Sequence, residues 1–106
     1  MVRFRVNYQT NPGQNVLVVG NDKSIGGWQH QSGLHMSYRA GNNWEAEVQL
    51  TDVASGVLEY KYVLVDEGTG CVFWEAGSNR TVNLKEEPTG VVEMCDTWKV
   101  NLILQF

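Results

Sequence analysis

The chain has 106 residues, 42% of them hydrophobic and 19% charged, the length of one domain able to bury a core of its own. Lys and Arg number 8 against 12 Asp and Glu, a formal charge of -4, so the basic surface that a nucleic-acid backbone requires is missing. No run approaches the roughly 20 apolar residues of a membrane helix, and the polar–apolar alternation that starts directly after Met1 lacks the form of a secretory leader.

Strand signals dominate. In VRFRVNYQT, Val2, Phe4, Val6 and Tyr8 alternate with Arg3, Arg5, Asn7 and Gln9, which gives one dry face and one wet one. Asn11 to Asn15 form a turn, because Pro12 presets its φ and Gly13 tolerates a positive one. NVLVVG is apolar on both faces and reads as a central strand. NDKSIGGWQHQSG is a polar, glycine-rich connection that carries Trp28, and LHMS follows as one short strand with Leu34 and Met36 on the same face. After RAGNN, the strand WEAEVQL sets Trp44, Ala46, Val48 and Leu50 opposite Glu45, Glu47 and Gln49. A loop, TDVASG, leads to VLEYKYVLV, which sets Leu58, Tyr60, Tyr62 and Leu64 opposite Glu59, Lys61, Val63 and Val65. DEGTG is a hairpin turn, CVFW, NRTVNL and GVVEMCDTW are further strands, and KEEPTG separates the last two.

Short strands punctuated by turns, with no helical periodicity of useful length, predict an all-β fold: an antiparallel β-sandwich or open, distorted barrel of about seven or eight strands, immunoglobulin-like. The module is expected to span residues 1–99, with an apolar tail over 100–106 that is either an extra strand or the start of a following region. Cys71 and Cys95 are too few for a disulfide scaffold and have no zinc-ligand spacing, so they are expected as buried or half-buried thiols in a reducing compartment.

The sequence contains no Gly-x-Ser-x-Gly, no His-Glu-x-x-His and no phosphate-binding glycine loop. His30 and His35 read as solvated side chains without metal partners, Glu45 and Glu47 as a solubilising row, and Lys85, Glu86 and Glu87 as a charged turn. No catalytic residues, cofactor or metal are therefore expected. The four tryptophans divide in two. Trp44 opens the dry face of its strand and belongs to the core, and Trp98 anchors the last strand. Trp28 and Trp74 stand in glycine-flanked polar surroundings, as lids on the core or as platforms for a ligand. With Lys61, Glu75 and Asn79 they suit a sugar, whose C–H face packs on an indole while its hydroxyl rim needs short polar donors and acceptors.

NVLVVGNDKSIGGW, LEYKYVLVD and FWEAGSNRTV, in that order, resemble the starch-binding domains of carbohydrate-binding module family twenty, across nearly the whole stretch from FRVNYQT to MCDTW. The resemblance implies a non-catalytic module that binds α-1,4-glucan as starch, glycogen, maltooligosaccharide or cyclodextrin, as one part of a longer chain and a monomer when isolated. It further implies a first site with Trp28 and Trp74 as stacking platforms and Lys61, Glu75 and Asn79 as hydrogen-bonding groups. The family's second site is expected to be weak or missing, since Pro12 stands where an aromatic residue is usual and Tyr38 is its remaining aromatic candidate. Asn79-Arg80-Thr81 is also an N-glycosylation pattern; a glycan there would block the first site, which favours a cytosolic or plastid setting over secretion. Rival readings are a glycogen-binding module of the kinase-regulatory type and an immunoglobulin-like protein-interaction domain with Trp28 and Trp74 as its hot spot.

Overall fold

The computed structural model describes residues 1–50, 56–84 and 92–100. Alternation builds the first sheet. β1 (Val2–Asn7) buries Val2, Phe4 and Val6, pairs antiparallel with β5 (Asn43–Val48) and parallel with β9 (Val92–Thr97), and β4 (Ser37–Arg39) closes the other edge in the order β4-β5-β1-β9. The second sheet runs β3-β2-β6-β7, from β3 (Leu34–His35), β2 (Gln14–Gly20), β6 (Val57–Asp66) and β7 (Val72–Trp74), with β8 (Arg80–Asn83) pairing the first half of β6.

The two sheets pack face to face as an all-β sandwich, not a closed barrel. The inward residues alternate as the sequence requires: Phe4, Val6 and Met94 from one sheet meet Val16, Val18, Leu58, Tyr60, Tyr62 and Leu64 from the other. Trp44 and Trp98 both join this core, and Trp98 stacks on Tyr8 with ring centroids 4.3 Å apart. Ile25 plugs the end of β2 beside Gly20, where a Cβ would lie 2.2 Å from the Glu59 carbonyl oxygen and 2.5 Å from Ile25 Cδ1.

Four details differ from the sequence reading. LHMS is not one strand: Leu34 and His35 pair with β2, the chain crosses at buried Met36, and Ser37 to Arg39 pair with β5 in the opposite sheet. That split raises the count to nine strands among the described residues. The β1–β9 pair is parallel, since the last strand reaches β1 from the far sheet rather than by a hairpin. Both cysteines are exposed and unbridged. Cys95 lies opposite Arg5 on the outward face of edge strand β9, between inward Met94 and Asp96, and Cys71 precedes β7 on the hairpin turn. The loop over 51–55, the charged turn at Lys85 to Glu87 and the tail from residue 101 lie outside the described residues.

The outward face of the first sheet is an ion-pair ladder. Arg3 reaches Glu47 at 2.6 Å and Glu93 at 3.6 Å, while Glu45 takes Arg5 at 3.4 Å and Arg39 at 3.6 Å. Each carboxylate of the Glu45–Glu47 row thus faces a guanidinium, as on an ordinary solvated sheet.

Candidate functional site

Two of the sequence-selected residues, Lys61 and Trp74, share the outward face of the second sheet. Lys61 faces out from β6, opposite Val19 of β2, and Val63 two residues on is opposite Trp74 of β7. Directly opposed residues share a face, so Lys61, Val63 and Trp74 lie on one side. Leu17, Val19 and Val63 on that face are buried yet stand outside the main core cluster, so something covers them.

Over Val19 part of the cover is the connection after β2. It makes two short 3-10 turns, Lys23–Trp28 and His30–Ser32, that fold back over β2 and bring the Gly33 backbone against the Val19 side chain. Asp22 caps the first turn by accepting from the Ser24 backbone N–H at 2.9 Å and from the Ser24 hydroxyl. Gly26, Gly27 and Trp28 then take φ values of 91°, 53° and 68° in succession. For tryptophan a left-handed conformation costs roughly 1–2 kcal/mol, a strain of the kind stored where a side chain must be aimed. Trp28, at the end of the first turn, is half-buried. His30 is half-buried in this connection and His35 exposed in β3, and the described residues contain no cluster of metal-ligating side chains.

Trp74 is 41% exposed at the end of β7, where the chain enters the 75–79 loop. That loop is fixed from beneath. Glu75 is 1% exposed, and its carboxylate accepts from the Tyr62 backbone N–H at 3.1 Å, the Lys99 backbone N–H at 3.2 Å, and Arg80 at 2.9 and 3.0 Å. These donors occupy the lone-pair positions a carboxylate offers. The side chain is therefore a buried fastening, with its acceptor positions taken up inside the protein. Its backbone carbonyl instead accepts from Lys61 Nζ at 3.1 Å, which holds the ammonium beside Trp74. Asn79 is exposed on the same loop.

Arg80 continues the network across the sandwich. It reaches Asp96 at 3.2 Å and the Thr97 carbonyl at 2.6 Å, with its guanidinium carbon 5.4 Å from the centre of the Tyr62 ring. Asp96 Oδ2 accepts from the hydroxyls of Tyr60 at 2.8 Å and Tyr62 at 2.6 Å. Desolvation, and then the hydrogen bond to Asp96, push both phenols well above their ordinary pKa of 10.0. Since the unfolded phenols ionise near 10 and the folded ones do not, stability should fall as the pH rises through about 10. Ultraviolet titration of tyrosinate should accordingly show Tyr60 and Tyr62 ionising only as the chain unfolds, and ordinary titration of both in the folded protein would contradict the buried network.

Sequence reasoning missed Arg80 and Asp96. A signal existed: two tyrosines facing inward on one strand each need a partner for the hydroxyl, and only a polar residue on the opposite sheet can supply it. At the far end of the first sheet, Tyr38 is 50% exposed and packs edge-on against Trp44 at 5.5 Å, while Pro12 sits exposed in the first turn.

The sequence model of the family described as "Starch binding domain" matches residues 1–94. This chain belongs to the starch binding domain family. Over 96 residues it is 34% identical to an α-amylase of Streptomyces violaceus, covering 91% of this chain and 16% of that protein. It is 36% identical over 87 residues to starch-binding domain-containing protein 1 of Rattus norvegicus, covering 81% of this chain and 25% of the other. The structure superposes on the family 20 carbohydrate-binding module of a maltotetraose-forming amylase from Pseudomonas saccharophila with a TM-score of 0.68. At 22% identity, over 92% of this chain and 98% of that one, this likeness speaks to the fold alone. As a starch binding domain the module is a non-catalytic one, and it spans only a small part of the curated relatives it matches.

Proposed function

We propose that this starch binding domain, residues 1–99, holds α-1,4-glucan by stacking neighbouring glucose rings on Trp28 and Trp74. The ammonium of Lys61 and the amide of Asn79 serve the sugar hydroxyls, while Glu75 acts from beneath by fixing the loop. The observation that carries this reading is Trp74: a large indole left 41% exposed on the face that bears Lys61, at the start of a loop fastened by four hydrogen bonds to the buried Glu75 carboxylate. A rigid, partly exposed aromatic loses little entropy when a ring docks on it. Trp28 adds a second aromatic, half-buried and held in a strained backbone conformation at the end of the turn after β2.

Tyr38 offers a single aromatic ring, and Pro12 has no aromatic face to set beside it, so a second site there is weak. The module targets a longer protein to starch or glycogen, in keeping with the much greater length of its relatives. The test is titration calorimetry with β-cyclodextrin or maltoheptaose on the chain and on Trp74→Ala. Binding of the parent chain should be saturable with a stoichiometry near one, and the variant should lose about 1.5–3 kcal/mol of it, the range of a central aromatic anchor. The variant's circular dichroism should be unchanged. Unfolding of Trp74→Ala, or binding equal to that of the parent chain, would defeat the assignment.

A further inference from the structure

β7 exposes two successive aromatic side chains, and they point to opposite sides. Trp74 pairs with Val63 on the outward face, whereas Phe73 pairs with Leu64, whose face is turned toward the interior of the sandwich. Phe73 is nevertheless 51% exposed, because β7 ends the strand order and its inner side overlooks the open mouth between the sheets. That mouth is a cleft of about 370 Å³, within the size range of small-ligand sites. The stacked pair Tyr8 and Trp98 lines it, as do Phe73 and Trp74. Polar groups stand at its rim. The Gln14 amide lies 3.5 Å from Asp66, and the Lys99 ammonium donates to the Ser78 carbonyl at 2.7 Å with donors to spare.

The geometry points to an extension subsite: a glucan seated on Trp74 crosses edge strand β7 and places its next residues on Phe73, inside this cleft. The inference rests on Trp74 being a glucan platform, and what names the occupant is continuity, since Trp74 borders both the outward face and the cleft. The cleft also repeats the chemistry a glucose ring needs, aromatic faces for the C–H side and an amide and an ammonium among its lining groups for the hydroxyls. An α-1,4-linked chain bends as it extends, so turning over the edge of one strand asks little distortion of it. The consequence is selectivity for length: short oligosaccharides engage the outward face alone, and longer ones gain the cleft.

Calorimetry with maltotriose and with maltoheptaose, on the full chain, Phe73→Ser and Trp74→Ala, tests this. Phe73→Ser should weaken maltoheptaose about tenfold, the worth of one aromatic contact, and leave maltotriose unchanged. Trp74→Ala should weaken both sugars. Three outcomes would overturn the extension while leaving Trp74 as a platform. Maltoheptaose affinity could be untouched in Phe73→Ser. Both sugars could weaken equally in that variant, which would make Phe73 a support for Trp74. Or its melting temperature could fall with both affinities intact, meaning that apolar residues of the chain itself fill the cleft. Failure of the unmodified chain to bind either sugar would instead sink the platform reading, and the extension with it.

Discussion

Glu75→Ala should destabilise the fold by about 3–5 kcal/mol, the usual result of removing one partner from a buried ion pair. The Glu75 side chain is wholly buried and that of Arg80 is 16% exposed, so water cannot replace the lost carboxylate oxygens. Four hydrogen bonds would vanish at once: those from the Tyr62 and Lys99 backbone N–H groups and both from Arg80. Arg80 would keep Asp96 and the Thr97 carbonyl, but the Tyr62 amide would be left buried, and the Lys99 amide half-buried, without its acceptor. Urea unfolding monitored by tryptophan fluorescence measures the loss. The pair is not irreplaceable as such: a double change, Glu75→Leu with Arg80→Met, should recover part of the stability, because it removes the stranded charge along with its partner. A Glu75→Ala chain as stable as its parent but unable to bind maltooligosaccharide would restore the carboxylate to the sugar site.

That residue also shows how far the sequence could be read. The alternation in β1, β5 and β6 was legible because each dry face is a local pattern of period two, and the turn at Gly13 was legible from its own residues. Trp28 and Trp74 stand out in the sequence because aromatic residues amid glycine and polar neighbours have no periodic reason to be there. Whether a side chain is covered depends on segments far away in the chain. The burial of Glu75 is imposed by Arg80, five residues on, together with backbone donors at positions 62 and 99 that its local sequence does not display. Exposure of Phe73 follows from β7 being an edge, and exposure of Cys95 from its outward register beside Arg5. Met36 reads as sharing a face with Leu34 in one short strand, yet it is the crossing point between two sheets.

The division of the tryptophans makes the second large prediction. Trp44→Ala should lower stability by about 3–5 kcal/mol, the cost of truncating a large aromatic in a packed core. Trp44 is 5% exposed, lies opposite Val6 on one side and Tyr38 on the other, and belongs to the cluster that includes Phe4 and Tyr62. Against a total of about 5–15 kcal/mol for a domain of ordinary stability, such a loss brings the chain close to unfolding. One feature moderates it. The indole Nε1 of Trp44 is buried without a hydrogen-bond partner, so truncation also removes an unsatisfied donor and should fall toward the lower end of the range. Trp44→Phe separates the two contributions: it keeps a ring in the core and discards the stranded N–H, and should lose far less than the alanine variant. Chemical denaturation of both variants beside Trp74→Ala puts the division to a direct test. Large loss at Trp44 with little at Trp74 means that one indole holds the sheets together while the other is spare surface, free to receive a sugar. A Trp44→Ala loss below about 1 kcal/mol, the scale of an ordinary surface change, would mean the core had been misassigned.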